Sequence, residues 1–324
     1  MVILKHWMQL IRWKNLIFLA FIVSALFYGV IMPYLAQYNL VLPYSTGIFA
    51  LLVGSTVFIA AGGYVINDYF DTKIDAINRP TQVLVGRHIT RNQAAKGFQI
   101  LLGMGLLCGL SIAAMLQDIT IGMIYIVISG LLWFYSSSYK RQLIIGNLMI
   151  ALCAFMVCFL VGYVVNTQLT RTYQPFIYYT PILTDIYAWT AGFGLFSCLF
   201  TLLREIIKDI DDIDGDREME CHTIPIVWGI TTTKVILIAL SVVILLLTGY
   251  FALVLIPFAV DTITWKYYIT GILIPMLILM GWIVKAHKRR QWQQISDFVK
   301  FIMLIGCLYA LFVGYLFYLN GVSA

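Results

Sequence analysis

The chain has 324 residues, of which 61% are hydrophobic and 11% charged, with a formal net charge of +6. Soluble domains carry about 25% charged residues, so this composition excludes a soluble globular protein and predicts an all-α polytopic membrane protein forming one domain over 1–324. Cys108, Cys153, Cys158, Cys198, Cys221 and Cys307 form no CxxC pair and lie mostly in apolar runs, so they are expected as small core residues and not as disulfides or zinc ligands.

Nine apolar stretches approach the ~20 residues that a bilayer core requires. They are expected as spans at roughly 15–34, 45–66, 97–116, 119–136, 143–165, 185–206, 234–256, 267–285 and 298–319. The first follows Lys5, Arg12 and Lys14 but has no small-residue cleavage site, so it is read as a membrane helix and not as a signal peptide. A short polar link at Gln117-Asp118 joins the third and fourth. With the N-terminus inside, the even-numbered loops are also inside. Of the 21 basic residues, only Arg171 and Lys266 then fall outside. This is the asymmetry of the positive-inside rule. It predicts a cytoplasmic N-terminus, an outer C-terminus and, in a bacterium, the inner membrane. The basic run of Lys285, Lys288, Arg289 and Arg290 is accounted for by an anionic leaflet.

The acids concentrate in two of the inner loops. Asp68, Asp71 and Asp75 stand at i, i+3 and i+7, within about 60° of arc on a continuous helix. Asn67 shares that side, and Pro80 is expected to stop the helix at Arg79. Asp209, Asp212 and Asp216 repeat the spacing 141 residues later, with Glu205 one turn before them. Asp211 and Asp214 fall off this face and are expected in solvent, and Gly215 weakens a continuous helix there. Each cluster follows the second span of a four-span block. Two related halves are therefore expected, about 10–142 and 143–290, with a last helix at 298–319 appended.

Six like charges on two matching faces repel unless cations sit between them. Hard divalent ions take carboxylate oxygens and then phosphate. Magnesium is the expected cofactor, with Asn67, Asp68, Asp71, Asp75, Asp209, Asp212 and Asp216 as candidate ligands. Arg79, Lys140, Arg141, Lys208 and Arg217 are candidates for gripping a diphosphate. Metal plus diphosphate at a membrane face suggests isoprenoid chemistry. The donor is expected to be a prenyl diphosphate, its head at the inner rim and its tail among the spans. The acceptor is expected to be hydrophobic or amphipathic. Asp71, Asp75, Asp212 and Asp216 are the candidate catalytic residues, supporting loss of diphosphate and then acceptor attack, with an Asp or a nearby base taking the proton. The bilayer is the expected partner, and no nucleic acid is. An ion-coupled transporter is the alternative of another class; it requires ionisable residues near mid-bilayer, whereas the acids here lie at one rim.

At these residues the chain resembles the UbiA superfamily of intramembrane prenyltransferases. Asn67-Asp68-Tyr69-Phe70-Asp71-Thr72-Lys73-Ile74-Asp75 matches its first motif, followed by Asn78-Arg79-Pro80. Asp212-Ile213-Asp214-Gly215-Asp216 matches the second, with Asp209 upstream. Tyr135, Tyr139-Lys140-Arg141 and Gly146-Asn147 match the stretch around the fifth helix, and Arg12 with Asn15 the N-terminal element. The resemblance implies nine helices around a central cavity, capped by loops 2–3 and 6–7 on the cytoplasmic side. It also implies magnesium, a prenyl diphosphate, and diphosphate binding by Asn15 and Tyr139. The chain departs from the family at His222-Thr223, where Lys or Arg usually precedes Thr, and at Thr81-Gln82-Val83-Leu84, where a second Arg-Pro often stands. Residues 204–216 look most like the branch that adds geranylgeranyl to geranylgeranylglyceryl phosphate. Branches acting on aromatic quinone precursors (dihydroxynaphthoate, hydroxybenzoate or homogentisate type) or on chlorophyllide share part of this pattern. A phosphate-bearing acceptor would need basic contacts, from Lys140, Arg141 or Lys208; an aromatic acid would need only one.

Overall fold

The computed structural model describes residues 2–255 and 263–322. Thirteen helices follow in chain order: α1 (Val2–Leu10), α2 (Trp13–Gln37), α3 (Ser45–Phe70), α4 (Thr72–Asn78), α5 (Arg91–Met115), α6 (Ile119–Ser137), α7 (Ile145–Tyr173), α8 (Ile182–Asp211), α9 (Ile213–Glu218), α10 (Ile224–Val227), α11 (Gly229–Leu253), α12 (Ile263–Lys285) and α13 (Arg289–Val322). Nine of them, α2, α3, α5 to α8 and α11 to α13, are long and apolar enough to cross a bilayer. The described residues form no strand beyond an isolated bridge between Val85 and Ile89. The expected end of the seventh span, Ile256, lies outside the described residues, as do Met1 and 323–324.

Two features differ from the sequence reading. The basic N-terminal segment is itself a helix, α1, with Leu10 buried and Ile3 and Leu4 exposed. A left-handed turn at Arg12, φ 52°, joins it to α2. The Asp clusters also do not lie on straight helices. α3 ends at Phe70 and α8 at Asp211, and the middle carboxylate of each cluster forms the corner, Asp71 at ψ 1° and Asp212 at ψ 7°. The i to i−4 ladder survives both corners: Asp71 N donates to the Asn67 carbonyl at 2.9 Å, and Asp212 N to that of Lys208 at 2.9 Å. The amide at each corner is therefore satisfied within the chain. The first short helix ends at Asn78, one residue before the expected stop.

α8 runs through the middle of the bundle. It contributes Ile182 and Ile186 to one apolar cluster shared with α2, α3, α7 and α13. It contributes Phe200, Leu203 and Ile207 to a second, shared with α11, α12 and α13. At the far end, away from the Asp motifs, Asp118 caps α6 through Thr120 N at 2.9 Å, and Arg171 donates to the Gln117 carbonyl at 2.9 Å. One of the two basic residues outside the charge pattern thus ties the α5–α6 link to α7.

α13 packs closely on α2 only over Ala25–Gln37. There the two helices cross backbone to backbone. A Cβ on Gly314 would lie 2.4 Å from the Gly29 carbonyl oxygen, and one on Gly29 would lie 2.9 Å from that of Ala310. Only glycine permits this approach. From the crossing, α2 and α13 diverge toward the motif end. Gly314→Ala is expected to force them apart and to lower the thermal midpoint in detergent by several degrees, the scale of an overpacked site costing about 1–3 kcal/mol. Gly103→Ala, where an added Cβ meets nothing within 4 Å, is the control expected to leave the midpoint unchanged.

Candidate active site at the motif end of the bundle

A chamber of about 620 Å³ opens at the motif end. α3 and α4 line it with Thr56, Ala60, Gly63, Tyr64, Asn67, Asp71 and Asp75. Adding 141 to each number gives Ser197, Thr201, Arg204, Glu205, Lys208, Asp212 and Asp216, and all of these line it too, from α8 and α9. Apart from the adjacent pairs Gly63-Tyr64 and Arg204-Glu205, steps of three and four residues keep each row on one helix face, so two equivalent faces look into one space. Deeper in, the walls are apolar, with Phe18, Leu19 and Ile22 of α2, Ile59 of α3, Ile128 and Leu132 of α6, and Val157 and Leu160 of α7. Four of the lining residues are exposed: Lys14 on α2, and Lys300, Phe301 and Leu304 on α13. The chamber therefore has a side opening between α2 and α13, where the two helices diverge.

Ion pairs organise the rim. Asp71, 3% exposed, accepts from Asn67 at 2.7 Å and pairs with Lys140. Arg79 reaches across from the first motif to the second, donating to Asp212 at 2.8 and 3.0 Å and to Asp211 at 3.1 Å. Glu205 holds Lys208 at 2.9 Å and Arg204 at 3.2 Å. Asn147 donates to Asp209 at 2.7 Å. Asn78 locks the two short helices together. Its side-chain amide donates to the Asp212 carbonyl at 3.0 Å, and its oxygen accepts from Gly215 N at 2.9 Å. A Cβ on Gly215 would lie 2.5 Å from Asn78 Nδ2, so glycine is required here by close approach.

Three lining carboxylates, Asp75, Asp209 and Asp216, make no ion pair among the described residues. Burial, then the charges of Asp71 and Asp68, push Asp75 up to about 6 against the pull of Lys140 and Arg12. Burial raises Asp216 to about 7, with Asp212 and Asp71 adding to it and Lys140 opposing. Asp212 is also raised, chiefly by burial, although Arg79 opposes this. Carboxylates short of cationic partners are the donor set that a hard cation requires. The residues therefore fit a divalent ion such as magnesium. No three of them close on a single point among the described residues. This suits an ion that takes one or two carboxylates and completes its shell with water and phosphate oxygens.

The structure corrects several expectations. Asp68 lies one residue off the lining row and pairs with Arg12 at 2.8 Å. In the tight turn 139–141, Lys140 points into the chamber while Tyr139 and Arg141 do not line it. Tyr135 lines it instead. Arg217 and His222 are exposed and outside it. The neighbour of His222, Thr223, lines the chamber with a buried hydroxyl that finds no hydrogen-bond partner among the described residues. Asp211 is buried, not solvated. It accepts from Arg79, from Arg289 at 3.1 Å and from Gln293 at 3.1 Å. Arg289 also donates to the Asn78 carbonyl at 2.8 Å, so the basic run holds a structural contact beyond any leaflet interaction. Arg12, Asn15, Arg79, Lys208 and the remaining cluster residues line the chamber. Arg204 does so as well; its place one turn before Lys208 on the acidic face was the available signal.

The fold and its two facing acidic rows define an intramembrane transferase architecture. The sequence profile of the UbiA prenyltransferase family matches residues 23–308. A digeranylgeranylglyceryl phosphate synthase from Methanosphaera stadtmanae is 31% identical over 79% of this chain and 85% of its own. This chain belongs to the UbiA prenyltransferase family. Two solved structures share the fold. One, of a digeranylgeranylglyceryl phosphate synthase, is 24% identical, with both chains covered in full and a TM-score of 0.59. The other, a UbiA homologue from Archaeoglobus fulgidus bound to GPP and Mg2+, is 14% identical over 94% of this chain and 99% of that one, with a TM-score of 0.55.

Two measurements test this geometry. In the folded protein Asp75 and Asp216 hold protons up to about 6 and about 7, far above the ordinary 3.8. The folded state then binds more protons than the unfolded state between about pH 4 and 7, so stability falls as pH rises through that window. Protein in chelator and detergent is expected to melt at a higher temperature near pH 5.5 than near pH 8, and magnesium to recover the difference at the higher pH. Separately, Gly215→Ala is expected to displace Asn78, break both of its contacts and lower prenyl transfer at least about tenfold. Gly281→Ala, where an added Cβ meets nothing within 4 Å, is expected to have no effect on transfer.

Proposed function

We propose that this prenyltransferase adds a geranylgeranyl group, in a magnesium-dependent reaction, to geranylgeranylglyceryl phosphate or a closely related lipid. The observation that carries the reading is the pair of equivalent acidic rows facing each other over an apolar chamber with a side opening. The name of the Methanosphaera relative supports the acceptor, and the GPP and Mg2+ in the Archaeoglobus homologue support the donor and the ion.

Asn67, Asp71, Asp75, Asp209, Asp212 and Asp216 hold magnesium in this reading, and Asp68 supports them by fixing Arg12. When bound, magnesium neutralises the departing diphosphate. Arg79 and Lys140 already bridge to carboxylates at the rim and can turn to phosphate oxygens. The allylic C–O bond breaks and its electron pair leaves with the diphosphate. The acceptor hydroxyl oxygen attacks the carbocation, and its proton passes to a rim carboxylate. Apolar side chains such as Phe18, Ile22, Leu132 and Leu160 line the tail and keep water from the cation.

We propose further that the motif end faces the cytoplasm, because basic residues concentrate there. This places the N-terminus inside and the C-terminus outside. The constant offset of the lining rows supports two related halves, about 10–142 and 143–290, followed by an appended helix.

Labelled geranylgeranyl diphosphate offered with a panel of acceptors tests the reading. The panel contains geranylgeranylglyceryl phosphate, dihydroxynaphthoate, hydroxybenzoate and homogentisate. Transfer to the first alone is expected, and preference for an aromatic acid would overturn the acceptor. Asp71→Ala and Asp212→Ala are each expected to cost at least about a hundredfold, the scale of losing one group that stabilises developing charge. Full activity in both variants, or turnover in excess chelator, would sink the mechanism.

A further inference from the structure

The basic residues lining the chamber divide into two sets. Arg12, Arg79, Lys140, Arg204 and Lys208 are each committed to a carboxylate. Lys14 and Lys300 are not held by any carboxylate of the chamber. Lys14 lies 5.9 Å from the Trp13 ring, and Lys300 makes an exposed pair with Asp297 at 3.1 Å. Such a surface pair contributes little. The two lysines stand on α2 and α13, the helices that bound the side opening.

Their depth matters. Lys14 is the second residue of α2, and Lys300 is the last charged residue before the uninterrupted apolar run of α13 from Phe301. Both therefore sit at the polar edge of the hydrocarbon layer, where a lipid presents its phosphate and where lysine side chains readily reach the interface. Phe301 and Leu304, 51% and 39% exposed, continue the same edge into the apolar layer.

Resting on the acceptor reading above, we propose that Lys14 and Lys300 receive the phosphate of the acceptor lipid at the side opening. A phosphate held there leaves the acceptor's chain in the apolar layer. It turns the glycerol hydroxyl, a few bonds away, toward the chamber. It also keeps this phosphate apart from the donor diphosphate at the acidic rim, which limits like-charge repulsion. Two flexible ammonium groups suit a phosphate that must arrive and leave laterally.

The test uses the full-length enzyme in nanodiscs of zwitterionic phosphatidylcholine, with a parallel set in nanodiscs of anionic lipid. Initial rates are measured for the unaltered enzyme and for Lys14→Gln, Lys300→Gln and the double variant. The acceptors are geranylgeranylglyceryl phosphate and the same lipid lacking its phosphate. The double variant is expected to raise the acceptor KM about tenfold to thirtyfold, the scale of two interfacial lysine–phosphate contacts. The KM for the donor, the kcat at saturation and the rate with the phosphate-free lipid are expected to stay unchanged. An unchanged acceptor KM overturns the proposal, as does an equal rise for both lipids. The same holds for a rise confined to nanodiscs of anionic lipid, which would assign the lysines to bulk headgroups. Failure of the unaltered enzyme to use either lipid would overturn the acceptor reading and this proposal together, whereas transfer with unaltered constants overturns the lysine assignment alone.

Discussion

Uncompensated carboxylate charge at the edge of an apolar bundle is the constraint on which this structure turns. Moving an anion out of water is costly unless a counter-charge or a hydrogen bond replaces the lost hydration. The rim answers with Lys140 on Asp71, Arg79 on Asp212 and Arg289 on Asp211. Asp75 and Asp216 remain without such a partner, and burial, reinforced by neighbouring carboxylates, raises both above the ordinary range. Structural and chemical demands thus coincide: the carboxylates that burial penalises are the ones suited to a cation and a diphosphate.

The two motifs meet this demand by one device used twice. A membrane helix carries its lining row up to the rim, turns at its middle aspartate and continues as a short helix over the chamber. Asn78 and Gly215 then join the two short helices at a distance no larger residue would allow. Arg79 spans the same junction with charge. The junction is therefore held by the Asn78 contacts, which depend on shape, and by the ion pairs of Arg79 and Arg289, of which those of Arg79 can give way to phosphate.

Much of this was legible in the sequence. Span-length apolar runs are long-range signals that tertiary contacts rarely override, and the charge asymmetry checked their number. The i, i+3, i+7 carboxylates marked the chamber face because helical periodicity survives the bends at Asp71 and Asp212. What stayed hidden depends on contacts between distant segments. Asp211 falls off the acidic face in one helix, yet Arg289, 78 residues away, buries it. Tyr139, Lys140 and Arg141 look interchangeable in a row, but a tight turn sends only the lysine inward. His222 drew attention as the unusual residue, whereas its plain neighbour Thr223 holds the place in the chamber. No periodicity rule reports such choices, because they are made by the partner segment.

The gap between α2 and α13 has a thermodynamic corollary. A substrate that enters sideways is never dissolved in water at a meaningful level, so its effective concentration is a mole fraction within the leaflet. Adding empty bilayer at fixed total substrate then slows the enzyme as surely as adding buffer slows a soluble one. On the proposed lateral entry, saturation becomes a property of the surface and not of the volume.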